Sequence, residues 1–199
     1  MNTARLDRLG DPALLLLLGA SLALNVYFFW KGANHQDLAP APQFARGDSI
    51  AGLTTQNLNG EEVTLGFALD RPTVLYVFRP TCIWCARNAG SLDALHANAK
   101  NAYRFVGISL DEDGVPAFVE RTRIPFPVLV LSAGNNAFRI RVGGVPQTLV
   151  VSTNGKVLEA WSGAYGGETR NEMEAYFDTE LPALTTAEPP PAVSADLPS

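Results

Sequence analysis

Thiols and imidazoles are scarce in this sequence: 199 residues contain two cysteines and two histidines. Two cysteines allow at most one intramolecular bridge, and Cys82 and Cys85 stand so close that the loop between them would constrain the unfolded chain little. A disulfide scaffold is unnecessary in any case, because the chain has room for an ordinary domain of about 100 to 150 residues that buries its own apolar surface. A structural zinc site usually takes four Cys or His ligands. The histidines are His35, in a linker, and His96, eleven residues after Cys85. On a helix rising about 1.5 Å per residue, that is about 16 Å away. Basic clusters are also missing from a chain of net charge -5, which excludes a nucleic-acid footprint. No internal repeat is evident, no G-x-G-x-x-G opens a helix and no phosphate loop occurs, so no cofactor is expected.

What is present begins with residues 13–30, "ALLLLLGASLALNVYFFW", a stretch without charge that is long enough to span a bilayer. Tyr27 and Trp30 fall where an interfacial aromatic belt would lie. A cleaved signal peptide would have a shorter apolar core ending at small residues, whereas this run ends in "VYFFWK", so a retained anchor is expected. Arg5 and Arg8 precede the run and Lys31 and Arg46 follow it, a balance that leans toward residues 1–12 being cytoplasmic. Residues 31–47, rich in Gly, Ala and Pro, read as a tether. Residues 182–199, with a triple proline and no aromatic side chain, read as a disordered tail. The folded domain is then expected over 48–181.

Within it, "NLNGEEVTL" predicts a hairpin turning at Asn59-Gly60. "PTVLYVF", 72–78, predicts a central strand covered on both faces. A helix is expected from Ile83 to about Lys100, a strand at 103–110, a short helix at 115–122 and an extended segment at 126–132. A hairpin across Asn154-Gly155 and a closing amphipathic helix at 168–181 complete an α/β domain with a mixed sheet sandwiched by helices.

The cysteines follow the central strand in "RPTCIWCARN". A strand, a tight turn and a helix put Cys82 at the helix N-terminus, where unpaired backbone N–H groups favour a thiolate. Cys82 is therefore the predicted nucleophile, with Cys85 one turn further in as the resolving thiol. By elimination the pair reads as a working dithiol; a buried pair without chemistry and a two-coordinate Cu(I) site are the alternatives. Arg79 and Arg87 flank the turn as possible thiolate partners or as solvated charges. Trp84 either projects as an exposed aromatic edge for a partner or folds back as a lid.

"TVLYVFRPTCIWCARN", followed some sixty residues later by "GGVPQTLVVSTNGKVL", resembles thioredoxin-like domains, and the anchor, tether and leading hairpin resemble the membrane-anchored TlpA/ResA type. The resemblance implies a thioredoxin-like fold over 48–181 and a cis peptide bond between Val145 and Pro146, facing the dithiol. It also implies that the Val145 backbone pairs with a substrate segment lying across Cys82. It implies a protein disulfide or dithiol substrate and a membrane redox partner that recycles the dithiol. The place implied is a bacterial inner membrane, crossed once, with the redox domain in the periplasm. Reducing work, in maturing c-type cytochromes or other exported proteins, would be the role.

Three departures stand out. Thr-Cys-Ile-Trp-Cys replaces the Trp-Cys-Gly-Pro-Cys of thioredoxins, so a reduction potential does not carry over. Tyr76 stands where thioredoxin has a buried aspartate, and Asn88 where ResA-type proteins have a glutamate. His96 is too far along the helix to replace either and reads as a packing or surface histidine.

A peroxiredoxin-like peroxidase is the competing enzyme reading, but Pro80, Thr81 and Cys82 are adjacent here, unlike the spaced P-x-x-x-T-x-x-C of that family. A Cu(I)-binding assembly factor is the non-catalytic alternative. Against it, no His or Met lies near the pair.

Overall fold

The computed structural model describes residues 12–33 and 43–184; of the first helix it describes the side chains of Pro12 and Leu15–Tyr27. The chain divides into two compact units, residues 1–40 and 41–199.

In the first unit, α1 (Pro12–Ala33) is a helix of 22 residues that contains the apolar run. Leu15, Leu16, Leu17, Leu18, Leu22 and Leu24 are exposed on it. Its one amide side chain, Asn25, donates to the Ser21 carbonyl at 2.8 Å, so the polar group is satisfied within the helix. Among the described residues no helix is long and apolar enough to cross a membrane. The expected helix is thus present, and its crossing of a bilayer is not established. Residues 1–11 of the expected cytoplasmic segment, 34–42 of the tether and 185–199 of the tail lie outside the described residues.

In the second unit, a hairpin of β1 (Leu53–Gln56) and β2 (Glu62–Leu65) leads into the central strand β3 (Thr73–Phe78). The turn between β1 and β2 uses Gly60 at φ +82, a conformation that costs glycine no steric penalty. After β3 come α2 (Ile83–Arg87), α3 (Ala89–Ala99), β4 (Arg104–Ser109), α4 (Val115–Thr122) and β5 (Val128–Leu131). α5 (Asn136–Val142), β6 (Gln147–Val151), β7 (Val157–Ser162) and α6 (Gly167–Phe177) follow. The seven strands form one mixed sheet in the order β2-β1-β5-β4-β3-β6-β7, with β3 parallel to β4 and antiparallel to β6.

Successive side chains of a strand point to opposite faces, and β3, buried at all six positions, divides its residues between two cores. Val74, Tyr76 and Phe78 pack with Leu92 and Leu95 of α3, Phe118 of α4 and Met173 of α6. Leu75 and Val77 pack with Phe138 and Val142 of α5, with Leu53 of β1 and with Phe44 and Ile50 of the leading segment. Both faces of β3 are thereby covered, as its uninterrupted apolar sequence requires.

Three features differ from the expectation. The single helix after Cys82 is two helices: the chain breaks at Asn88, whose buried side chain accepts from the Tyr165 N–H at 2.9 Å. Helix α5 was not expected from the sequence and has no side-chain cap, but Phe138 and Val142, four positions apart, are both buried. Tertiary burial holds it where intrinsic propensity is weak.

The domain also starts earlier and ends later than 48–181. Phe44 is buried, with its ring 5.2 Å from that of Phe138 and the Arg141 guanidinium 4.7 Å from its centre. One aromatic ring among Pro, Ala and Gly is enough to tie down a stretch that reads as linker, because burying Phe removes a large apolar area from water. At the other end Leu184 packs on the core and the Ser91 hydroxyl donates to the Pro182 carbonyl at 3.1 Å.

The leading segment also lies along β7. Gly47 N donates to Val157 O, and Val157 N to Asp48 O, both at 2.8 Å. Ile50 N donates to Gly155 O at 2.8 Å, so close that a Cβ on Gly155 would sit 2.7 Å from the Ile50 carbonyl oxygen.

Candidate active site

Strand β3 ends at Phe78, and the turn Arg79-Pro80-Thr81 closes with a hydrogen bond from Cys82 N to Arg79 O of 3.1 Å. Cys82 is the N-cap of α2, with extended backbone at φ -79 and ψ 110. Its Sγ faces the Cys85 N–H, at 3.1 Å from that nitrogen. A backbone donor aimed at a sulfur favours its thiolate form once the pair is reduced. Cys82 and Cys85 are joined in a disulfide, their Cα atoms 5.2 Å apart. Cys82 is half-buried while Cys85 is 1% exposed. Cys82 is therefore the accessible sulfur of the pair.

Across from the pair, the peptide bond between Val145 and Pro146 is cis, and the Val145 carbonyl oxygen lies 3.9 Å from Cys82 Sγ. Strand β6, starting at Gln147 and paired with β3, carries this loop to the sulfur. The two places where the sequence resembles thioredoxin-like domains thus meet in space. Trp84 is 48% exposed and Arg87 lies over its ring at 4.7 Å, so the indole stands out as an edge rather than closing down as a lid. Arg79, considered above as a thiolate partner, instead grips both carboxylate oxygens of Asp111, at 2.6 and 2.7 Å. Asp111 lies at the end of β4, beyond the reach of any local sequence pattern.

The floor of the site is polar and uncharged. The Tyr76 hydroxyl donates to the Cys85 carbonyl at 2.9 Å, and Asn88 Nδ2 approaches that hydroxyl at 3.5 Å. Asn88 Oδ1 takes the Tyr165 N–H, and the Tyr165 hydroxyl bonds Thr148 Oγ1 at 2.5 Å. Tyr76, Asn88, Tyr165 and Thr148 are all buried. Burial pushes the Tyr76 phenol well above its ordinary range, so it holds its proton and acts as a donor. Tyr76 and Asn88 thus form a hydrogen-bonded pair beneath the dithiol turn. The sequence placed both residues; that they touch, and that Tyr165 and Thr148 extend them, was not visible in it.

His96 plays no part here. Its ring packs edge-on to Phe105 at 5.2 Å, and burial lowers its pKa. Among the described residues no group of three or more His, Cys, Asp or Glu side chains is arranged to hold a metal ion.

Residues 46–160 match the AhpC/TSA family. Among solved structures, the thioredoxin domain of a thiol-disulfide oxidoreductase from Bacteroides vulgatus superposes with a TM-score of 0.56 at 18% identity, covering 68% of this chain and 99% of that one. A secreted Mycobacterium tuberculosis disulfide oxidoreductase homologous to Escherichia coli DsbE gives 0.51 at 24%, covering 63% and 93%. A thiol:disulfide interchange protein from Bacteroides sp. gives 0.54 at 18%, covering 68% and 91%. These likenesses show a thioredoxin-like fold. No curated protein sequence matches.

Proposed function

The chain belongs to the AhpC/TSA family, and we propose that it is a thiol-disulfide oxidoreductase that works through Cys82 and Cys85 on protein substrates. The observation that carries this reading is the pair itself: a disulfide between a half-exposed N-cap cysteine and a buried one, facing the cis Val145-Pro146 loop.

In the reducing direction the Cys82 thiolate attacks one sulfur of a substrate disulfide and expels the other as a thiolate. Cys85, deprotonated, then attacks Cys82 Sγ, releasing the substrate's second thiolate and closing the Cys82–Cys85 disulfide. Two electrons pass to the substrate, whose thiolates take up protons from water. Run backwards, the same steps oxidise a substrate dithiol. Among the described residues no carboxylate hydrogen-bonds to the Cys85 turn, and Tyr76 keeps its proton, so the Cys85 proton leaves through water.

Tethering to a bacterial inner membrane, with the domain in the periplasm, belongs to the same proposal. What supports it is the sequence: the uncharged run 13–30, with Tyr27 and Trp30 near its end and Arg5 and Arg8 before it. Retention in the membrane fraction after alkaline extraction tests this part, and full release would overturn it. The peroxidase reading is less well supported, because Pro80 and Thr81 adjoin Cys82 directly and its disulfide partner sits one turn away. A two-coordinate Cu(I) site would use the same two sulfurs, and no His or Met lies near them in the sequence.

The direct test is the reduction potential of the pair in the full-length protein in detergent, read by alkylation and mass spectrometry in graded redox buffers. A value near about -270 mV supports a reductase, and one near about -120 mV an oxidant. A pair that never forms its disulfide in oxidising buffer removes the dithiol reading and leaves copper.

A further inference from the structure

An open cleft of about 390 Å³ lies at the opposite end of the sheet from the cysteines, between the end of α3 and the start of β4. Arg71, His96, Lys100, Arg104, Phe105 and Phe126 line it, together with aliphatic side chains of β2 and β5. Thr73 and Arg104, paired at the start of β3 and β4, mark its level, whereas Cys82 follows the far end of β3. At about 3.3 Å per residue, β3 alone puts roughly 17 Å between them. The cleft is separate from the dithiol.

Its charge is one-sided. No Asp or Glu lines it, in a chain whose net charge is -5. The ion pairs among the described residues engage Arg46, Arg79, Arg141 and Arg170, and none engages Arg71, Lys100 or Arg104. The two guanidinium groups are held by neutral oxygens instead. Arg71 Nη1 donates to the carbonyls of Lys100 and Asn101, both at 3.3 Å. Arg104 donates from Nε to Thr73 Oγ1 at 3.0 Å and from Nη2 to the Gly66 carbonyl at 2.8 Å. Burial alone lowers the Arg104 pKa, the mark of a half-buried cation without a countercharge. At the His96 ring burial lowers the pKa, the Lys100 ammonium lowers it further, and the Asp93 carboxylate, one turn earlier on α3, opposes them.

The rest of the wall is mostly apolar: Val63, Tyr103 and Leu129 are half-buried along it. Behind them the buried Phe105 and Phe126 pack 5.6 Å apart, with His96 against both. Fixed guanidinium forks without carboxylate partners, beside half-buried apolar side chains in a concave space within the usual range of about 300–1,000 Å³, are the makings of a small-molecule site. We propose that this cleft binds a small amphipathic anion, a carboxylate or phosphate on a ring or short acyl body. The anionic group would meet Arg71, Lys100 and Arg104, and the body would lie against the half-buried Val63, Tyr103 and Leu129. This site is independent of the redox reading and does not fail with it.

The test follows the ring resonances of the two histidines in the full-length protein in non-ionic detergent, with His35 as internal control. Benzoate is expected to move His96 saturably, while benzamide, the same ring without charge, binds at least about fivefold more weakly. Lys100→Gln and Arg71→Gln should each weaken benzoate about fivefold while leaving the disulfide chemistry intact. Equal effects of benzoate and benzamide, equal shifts of His35 and His96, or benzoate binding unchanged in the double variant would each overturn the proposal. Competition with short-chain phosphatidylglycerol then identifies the source: displacement assigns the site to lipid headgroups, and displacement only by soluble phosphate or carboxylate esters assigns it to free metabolites.

Discussion

The hydroxyl of Tyr76 and the carbonyl of Cys85 are hydrogen-bonded at 2.9 Å across the boundary between the sheet and the dithiol turn. Tyr76 is fully buried, so no water stands ready to replace its hydroxyl. Tyr76→Phe leaves the Cys85 carbonyl unpaired and takes from Asn88 Nδ2 its acceptor. The expected cost is about 1–3 kcal/mol, read from denaturant unfolding of the oxidised protein. A change within experimental error would mean that the bond contributes nothing net.

Alkaline pH should weaken the fold. Burial raises the pKa of Tyr76 and of Tyr165 far above that of a free phenol, and that of the half-buried Tyr176 to about 12. A pKa raised by folding means that the folded state holds its proton longer than the unfolded chain does. The stabilisation is therefore complete below about pH 10, where the unfolded phenols are protonated, and is lost as pH rises toward the folded values. Denaturant midpoints of the oxidised protein should stay level from about pH 7 to 9 and fall beyond about 10. Tyrosinate absorbance should rise in two steps, the later one coinciding with unfolding.

Much of this fold was legible because its signals are local. The continuous apolar run of β3, the Asn154-Gly155 turn and the Cys-x-x-Cys spacing each specify structure within a few residues. The misses required long-range contacts. Asn88 breaks a helix because of Tyr165, 77 positions later, and Arg79 is neutralised by Asp111, 32 positions later. Phe44 belongs to the core because α5 forms beneath it, and α5 has no cap or strong periodicity to announce it. The two cysteines and the proline were readable as a site. The Tyr76-Asn88 floor was readable only as two missing acids.

Trp84→Ala separates docking from chemistry. The indole is exposed and carries only Arg87 over its ring, so its loss should change stability by less than about 1 kcal/mol. If its edge receives the substrate, kcat/KM for a protein disulfide should fall about tenfold, a hot-spot-sized loss, while that for a small disulfide stays put. Equal losses on both substrates would point to a change in the dithiol instead.

Single cysteine variants distinguish the two sulfurs. Cys82→Ser should reduce disulfide turnover to background, because buried Cys85 cannot be reached. Cys85→Ser should retain the first step and accumulate a mixed disulfide between Cys82 and the substrate, seen as an added mass that dithiothreitol removes. Trapping through Cys85 in the Cys82 variant would reverse the assignment.

Phe44→Ala measures the missed domain boundary. The ring is 6% exposed and lies between Phe138 and the Arg141 guanidinium. Truncating a buried Phe costs about 3–5 kcal/mol, so the variant's urea midpoint should drop well below that of the parent. A fragment beginning at Asp48 should be destabilised to a similar degree, and an unaffected fragment would return residues 43–47 to the tether.

The bonds from the leading segment to β7 have a bearing on solubility. A seven-stranded open sheet has two edges, and an unprotected edge is a template on which a second chain can add a strand. One edge here is β2, four residues long with Glu62 at its start. The other is β7, and residues 47–50 already occupy the beginning of it, anchored where Gly155 admits no side chain. The same few residues that lead into the domain thus cap one of its two edges, and cutting them away would leave a longer free strand for self-association.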